Sequence, residues 1–279
     1  MRKVVLFLSC FLILVGCESL FQEQSEEGIL RVHNVANKDT ALQTKAFFQQ
    51  AVLPSADSKP ITSTKRFVVV IDPGHQKKAN LEKEPIGPGA TETKMKVSGG
   101  TTGTTTGKPE YQLTLEASLL LKTVLEERGI DVFLTRESND VNISNRERAE
   151  YANHQEADLF IRMHADGSTN QRVRGFHILV PAQNGTYTKE IYETSLQASE
   201  VILDVLKEDS TVAVRGEGVS FREDITGFNW SSVTTILLEL GYMTNPEDDR
   251  NLSNPEYLLH LMNQLATGIE RFASDLGKE

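Results

Sequence analysis

The sequence predicts one α/β domain built on a twisted, mostly parallel sheet with helices on both faces. Between residues 66 and 279, short apolar runs alternate with helical stretches, the order that is typical of such sheets. The run at 67–71 contains three consecutive valines and no polar residue, as expected of a strand that is buried on both faces. The length of this region suffices for a single domain with a large core.

Apolar runs place the remaining strands, and capping signals place most of the helices. Ser144 and Glu147 have the spacing of a capping box, Gly129 is positioned to end the helix before it, and Asn-Pro opens each of the last two helices. The predicted strands are 130–135, 159–163, 175–180 and 234–238, and the predicted helices begin at Glu110, Ser144, about Lys189, Pro246 and Pro255.

Residues 77–108 interrupt this alternation with a segment that is rich in Gly, Thr, Pro and Lys and has no apolar periodicity. A long insertion of this kind within a compact domain is usually functional or disordered. We expect it to have no regular structure and to form the rim of a binding cleft.

The N-terminus has the pattern of a secretory signal. Arg2 and Lys3 precede an apolar run at 4–15, which is shorter than the roughly 20 residues that a membrane-spanning helix needs. The run ends in Leu-Val-Gly-Cys, which resembles the bacterial lipobox and implies cleavage after residue 16 with a lipid on Cys17. The alternative is an ordinary signal peptide, or an anchor, that contains a cysteine.

Residues 17–65 are predicted to be a flexible tether, because they are rich in Gln, Ser, Glu, Asn and Thr and contain two prolines. Whether 40–52 forms a short helix within it stays open. Cleavage would leave Cys17 as the one cysteine, which excludes an intramolecular disulfide, a thiolate metal site and a cysteine nucleophile. The net charge of −10 argues against a nucleic-acid partner.

Three residues with metal-binding or acid–base side chains follow predicted strands at one edge of the sheet. His75 comes after the turn Asp72-Pro73-Gly74, His164 follows the strand at 159–163, and Glu239 ends the strand at 234–238. Ligands of open α/β sheets bind beyond the carboxyl ends of the strands. These side chains are therefore candidates for one site.

Two histidines and one carboxylate would make an open zinc site with water in the fourth position. Zinc lowers the pKa of its water towards about 7, and a second carboxylate must then take the water's proton. Glu110, on the first turn of a helix, and Glu239 are the two candidates for these roles. Glu116 lies on a different face of that helix.

Four sequence blocks, in order, resemble the zinc-dependent N-acetylmuramoyl-L-alanine amidases of bacterial autolysins. They are Val-Val-Ile-Asp-Pro-Gly-His-Gln, Gly-Lys-Pro-Glu-Tyr-Gln-Leu-Thr-Leu-Glu, Arg-Met-His-Ala-Asp-Gly-Ser and Leu-Leu-Glu-Leu-Gly-Tyr-Met-Thr-Asn-Pro-Glu-Asp-Asp. The resemblance implies that His75, Glu110 and His164 bind zinc and that Glu239 is the catalytic glutamate. Many relatives have Asn where this chain has Asp166, which leaves the substrate detail open.

The resemblance implies a lipid-anchored, extracytoplasmic enzyme that acts on peptidoglycan at the cell wall. It would cleave the amide between N-acetylmuramic acid and the L-alanine of the stem peptide. The alternatives are a zinc peptidase that trims stem peptides and a non-catalytic wall-binding lipoprotein. Structural or solvent-facing roles are favoured for His33, His154 and His260, and a satisfied position in a strand for His177. Arg136, Arg146 and Arg222 could meet substrate carboxylates, but surface or structural pairing is favoured for each.

Overall fold

A six-stranded sheet lies at the centre of the fold, in a computed structural model that describes residues 66–278. The predicted signal peptide, Cys17, the tether and the candidate helix at 40–52 lie outside the described residues. The strands of the chain are β1 (Val68–Pro73), β2 (Asn80–Pro85), β3 (Thr93–Val97), β4 (Asp131–Leu134), β5 (Leu159–Asp166), β6 (Phe176–Pro181), β7 (Val214–Arg222) and β8 (Thr235–Tyr242).

The order of strands in the large sheet is β4-β1-β5-β8-β6-β7. Every neighbouring pair is parallel except β6 and β8, which are antiparallel. The predicted α/β class with a mostly parallel sheet is therefore confirmed. The carboxyl ends of β1, β5 and β8 lie side by side at one edge of the sheet.

Helices cover both faces of this sheet, as predicted. They are α1 (Glu110–Glu127), α2 (Asn145–His154), α3 (Tyr192–Glu208), α4 (Thr226–Asn229), α5 (Pro246–Ser253) and α6 (Pro255–Asp275). The largest core cluster joins one face of the sheet to α1, α3 and α6, and smaller clusters join the other face to α2 and α4. None of the helices within 66–278 has the length and apolarity needed to cross a bilayer.

The prediction that residues 77–108 have no regular structure was wrong, because β2 and β3 form an antiparallel pair there. Their sequences, NLEKEP and TKMKV, are charged and mostly exposed, so no apolar pattern marks them. Contacts with distant residues hold the hairpin in place. Trp230 Nε1 donates a hydrogen bond to the carbonyl oxygen of Pro85 at 2.9 Å, and the backbone N–H of Arg146 donates to Glu84 Oε1 at 3.2 Å.

A buried ion cluster joins the end of β1 to α2 and β5. Asp72 Oδ1 accepts a hydrogen bond from Arg148 Nη1 at 2.7 Å, and Asp72 Oδ2 accepts one from Arg162 Nε at 3.0 Å. Thr135 Oγ1 also donates to Asp72 at 2.5 Å. Burial alone would raise the pKa of Asp72, but the two guanidinium groups and Thr135 hold this pKa well below its usual range. Asp72 is therefore ionised in the folded protein.

Substitution of Asp72 by asparagine should destabilise the fold, because it leaves two buried guanidinium groups without their counter-charge. We expect Asp72→Asn to lower the free energy of unfolding by about 3–5 kcal/mol near pH 7, measured by urea denaturation. Since the pKa of Asp72 is lower in the folded than in the unfolded chain, its stabilisation is present above about pH 4 and is lost as the pH falls further.

The matched control is Asp131→Asn, which removes a partly exposed ion pair with Arg66. This change should cost less than about 1 kcal/mol. Equal losses in the two variants would contradict a special role for the buried cluster.

Candidate metal centre

Three side chains from separate segments converge at the edge of the sheet where β1, β5 and β8 end. His75 Nε2 and Glu110 Oε1 are 3.0 Å apart, and His164 Nδ1 lies 3.1 Å from each of them. Within residues 66–278 this is the one group of three or more His, Cys, Asp or Glu side chains with the geometry to hold a metal ion.

The donor atoms of this group suit a zinc ion. Tetrahedral zinc with bonds of about 2.0–2.1 Å separates its ligand atoms by about 3.3 Å, close to the observed spacing. Two imidazole nitrogens and a carboxylate oxygen are also the ligand types that zinc binds in open catalytic sites. The residue pattern leaves Glu110 and Glu239 open as the third ligand. The structure brings Glu110 to the two histidines.

His75 is positioned by the turn after β1 and by the segment that precedes α1. Its φ is +60°, and its Nδ1 lies 3.0 Å from the carbonyl oxygen of Ser98. A hydrogen bond at the far nitrogen of a metal-binding histidine orients the ring and fixes its tautomer. The contact with Ser98 therefore directs His75 Nε2 towards the other two ligand atoms.

Glu110 begins α1 and is held by the backbone on two sides. The N–H of Thr101 donates to Glu110 Oε2 at 2.8 Å, and the N–H of Ala165 donates to Oε1 at 3.1 Å. Burial would raise the pKa of Glu110, but hydrogen bonds with His164 and His75 hold it well below its usual range. Burial lowers the pKa of His164 to about 4, so its ring is neutral, as metal binding requires.

Glu239 lies beside this group but is not one of the converging ligands. It is in β8, in register with His164 of the neighbouring strand β5. Its Oε2 is buried without a hydrogen-bond partner among the described residues. Burial, together with the negative charges of Glu110 and Asp166, raises the pKa of Glu239 well above its usual value. This carboxyl group is therefore suited to take up and return a proton.

Gly74 allows the turn after β1 to pack directly against His164. A Cβ atom at this position would lie 2.5 Å from His164 Cε1 and 2.6 Å from the carbonyl oxygen of Met163. The N–H of Gly74 donates to the same carbonyl oxygen at 2.8 Å. Only glycine fits there, which the sequence does not reveal without the position of His164.

His177 lies within a strand, as predicted: it is buried in β6 and stacks on Tyr242. Burial lowers the pKa of His177, and a hydrogen bond with the backbone of Gly175 opposes this shift. Its Nε2 is 3.6 Å from Asp166 Oδ2, beyond hydrogen-bond distance. Glu116, the competing carboxylate, is directed away from the metal centre and pairs with Lys108 at 2.6 Å.

None of the other candidates within residues 66–278 belongs to this group of converging side chains. His154 is exposed, and His260 pairs with Asp209 at the surface; His33 lies outside the described residues. The three arginines all have protein partners: Arg136 donates to backbone carbonyl oxygens of the turn after β1, Arg146 pairs with Glu150, and Arg222 pairs with Asp224.

Together, the fold and this group define an α/β protein with a candidate metal centre at the carboxyl edge of its sheet. Residues 69–271 match the model of a family described as N-acetylmuramoyl-L-alanine amidase. The chain therefore belongs to that family.

The chain is also similar to individual amidases. It is 30% identical over 236 residues to the N-acetylmuramoyl-L-alanine amidase Rv3717 of Mycobacterium tuberculosis, covering 81% of this chain and 94% of that protein. It is 25% identical over 236 residues to AmiA of Escherichia coli, covering 72% and 74%. The crystal structure of the amidase Ami1 from Mycobacterium smegmatis matches with a TM-score of 0.68 at 27% identity, covering 75% of this chain and 97% of that one.

Alanine at Gly74 should displace the imidazole of His164 and so weaken metal binding. We expect Gly74→Ala to raise the dissociation constant for Zn²⁺ at least about ten-fold, as loss of a metal site's supporting geometry commonly does. Isothermal titration of the metal-stripped protein measures this. Gly99→Ala is the control, because nothing lies within 4 Å of a Cβ there. Unchanged affinity in Gly74→Ala would contradict the steric argument.

Proposed function

We propose that the protein is a zinc-dependent peptidoglycan hydrolase that cleaves the amide between N-acetylmuramic acid and the L-alanine of the stem peptide. The observation that carries the proposal is the convergence of His75, Glu110 and His164 beside the buried Glu239, in a chain of the amidase family. In this reaction the bond that breaks joins the lactyl carbonyl carbon to the alanine nitrogen.

His75, Glu110 and His164 would hold the zinc ion. Bound there, zinc supplies a Lewis acid for the lactyl carbonyl and a water molecule of lowered pKa. The ionised Glu110 and the neutral His164 are already in the protonation states that such ligands need. Hydrogen bonds from the backbone of Thr101 and Ala165 fix the carboxylate of Glu110.

Glu239 would act as the general base and then as the general acid. It takes a proton from the attacking water and gives it to the alanine nitrogen, which leaves as an amine. Burial raises the pKa of Glu239, which helps this carboxyl group to hold the proton it takes from water before returning it to the alanine nitrogen.

Digestion of purified peptidoglycan tests this function. With zinc present, we expect stem peptides that begin with a free L-alanine, identified by mass spectrometry. A metal chelator should abolish their release, and added Zn²⁺ should restore it. Peptides shortened from within the stem would indicate a peptidase, and binding to peptidoglycan without products would indicate a wall-binding protein. Either result would overturn the proposal.

Replacement of Glu239 by glutamine should separate catalysis from metal binding. We expect Glu239→Gln to retain its zinc and to lose about 10²–10⁴-fold in turnover, because the amide cannot transfer the proton. Glu110→Gln should lose zinc as well as activity. Glu116→Gln is the control, since Glu116 is exposed and pairs with Lys108. Full muropeptide cleavage by Glu239→Gln would exclude the role proposed for Glu239.

For localisation, we infer that a lipid on Cys17 anchors the chain to a bacterial membrane, facing the cell wall, with residues 17–65 as the tether. The sequence Leu-Val-Gly-Cys at 14–17 supports this inference. We expect Cys17→Ser to move the protein from the membrane fraction to the soluble fraction of producing cells. Mass spectrometry of the wild-type N-terminal peptide should reveal the lipid, and an unmodified Cys17 would contradict the anchor.

A further inference from the structure

We propose that Arg222, assisted by Lys94, binds a carboxylate on the second residue of the stem peptide. This inference rests on the proposed function, because it assigns a substrate group to the same cleft. The subsite would make the enzyme selective for acidic stem peptides over peptides whose carboxylate at this position has been converted to a carboxamide.

The strand register puts Arg222 on the same face of the sheet as Glu239. Glu239 of β8 is paired with His177 of β6, and Arg222 of β7 is paired with Pro181 of β6. His177 and Pro181 are four residues apart in the same strand, and alternate residues of a strand share a face. The side chains of Glu239 and Arg222 therefore project from one face. Because β6 is antiparallel to β8, Arg222 lies four residues from Glu239 in the direction away from the edge that carries the metal centre.

The two positions are also close enough for one substrate. With strands about 4.8 Å apart and a rise of about 3.3 Å per residue, two strands and four residues separate their Cα atoms by about 16 Å. The long side chain of Arg222 spans much of this gap. A peptide advances about 3.5 Å per residue, so a group on its second residue reaches about 7 Å beyond the scissile nitrogen.

The electrostatics agree with this placement. The pKa of Arg222 is raised, first by its hydrogen bonds to Asp224 and further by the negative charges of Asp166 and Glu239. In turn, the positive charge of Arg222 opposes the rise in the pKa of Glu239. The guanidinium group thus lies within the electrostatic reach of the catalytic cleft.

Arg222 and Lys94 carry positive charge that the protein neutralises only in part. Arg222 Nε and Nη2 donate to the two carboxylate oxygens of Asp224 at 2.8 and 3.0 Å, and Lys94 Nζ donates to the same carboxylate at 2.9 Å. Two cations therefore share one hydrogen-bonded carboxylate. Arg222 Nη1 has no acceptor among residues 66–278, so it is free to donate to a ligand.

A carboxylate is the ligand that this arrangement favours. A guanidinium group with a free edge binds carboxylates through parallel hydrogen bonds. Asp166, whose negative charge acts on Glu239, would repel a negatively charged substrate group from that side of the cleft. A stem peptide with a carboxylate on its second residue would be oriented with that group towards Arg222 and away from Asp166.

Two synthetic muramoyl tripeptides test the inference. They are identical except that the carboxylate on the second residue is free in one and is a carboxamide in the other. We expect the wild-type protein to favour the free acid by about five-fold in kcat/KM, the size of a partly exposed ionic contact. Arg222→Gln should reduce this ratio to about one, and Arg222→Lys should retain part of it.

Asp224→Asn is predicted to have the opposite effect. It removes the anion that competes for Arg222 and Lys94, so the preference for the free acid should increase. Arg271→Gln, a change of an exposed arginine on α6, is the matched control for loss of one positive charge. A purely structural ion pair would make Arg222→Gln and Asp224→Asn lose activity on both substrates in parallel.

A wild-type ratio of one, or a ratio that Arg222→Gln does not change, would overturn the inference. So would a fall in the ratio in Asp224→Asn. If the wild-type protein cleaves neither substrate, the proposed function fails instead. In that case, calorimetric binding of the two free tripeptides to Glu239→Gln still tests the subsite: tighter binding of the acid supports it, and equal binding refutes it.

Discussion

The buried carboxylate of Asp72 is the constraint on which the rest of the site depends. It lies in β1 next to the last residue of the strand and binds Arg148 of α2 and Arg162 of β5, which are 76 and 90 residues away in sequence. An ion cluster inside a protein is stable only when its charges are paired and hydrogen-bonded, and each of these arginines also bonds another group. The cluster therefore fixes where β1 stops, and His75 lies three residues further.

Charged donors also hold the backbone of the turn that follows Asp72. Arg148 donates to the carbonyl oxygens of Pro73 and His75, and Arg136 donates to those of Pro73 and Gly74. These bonds offset the cost of the backbone of His75, whose φ of +60° is uncommon for a residue other than glycine. The arginines thus act on the candidate metal centre through the backbone, without contacting the side-chain atoms that could bind a metal.

Much of the site could be predicted from the sequence, because its residues follow strands whose ends meet at one edge. To predict that His75, His164 and Glu239 lie together, it was enough to recognise the apolar run before each and to apply the topology rule for parallel sheets. The hairpin of β2 and β3 could not be predicted, since its charged strands are held by distant contacts such as that of Trp230 with Pro85. The partners of Asp72 could not be predicted either, because sequence spacing does not reveal pairs that only the tertiary fold brings together.

Two carboxylates in one cleft differ in pKa because their neighbours differ. Glu110 accepts hydrogen bonds from two backbone N–H groups and lies against two imidazoles, which stabilise its charged form. Glu239 is also buried but has no donor at Oε2 and lies near the charges of Glu110 and Asp166, which favours its protonated form. Groups whose surroundings push their pKa values apart can divide ligand and acid–base roles between them.

The contact of Thr101 with Glu110 in turn depends on Asp249, a buried carboxylate that holds the loop through the N–H groups of residues 105 and 106. The difference in pKa between these two carboxylates therefore rests in part on hydrogen bonds that the protein supplies from separate segments of its chain.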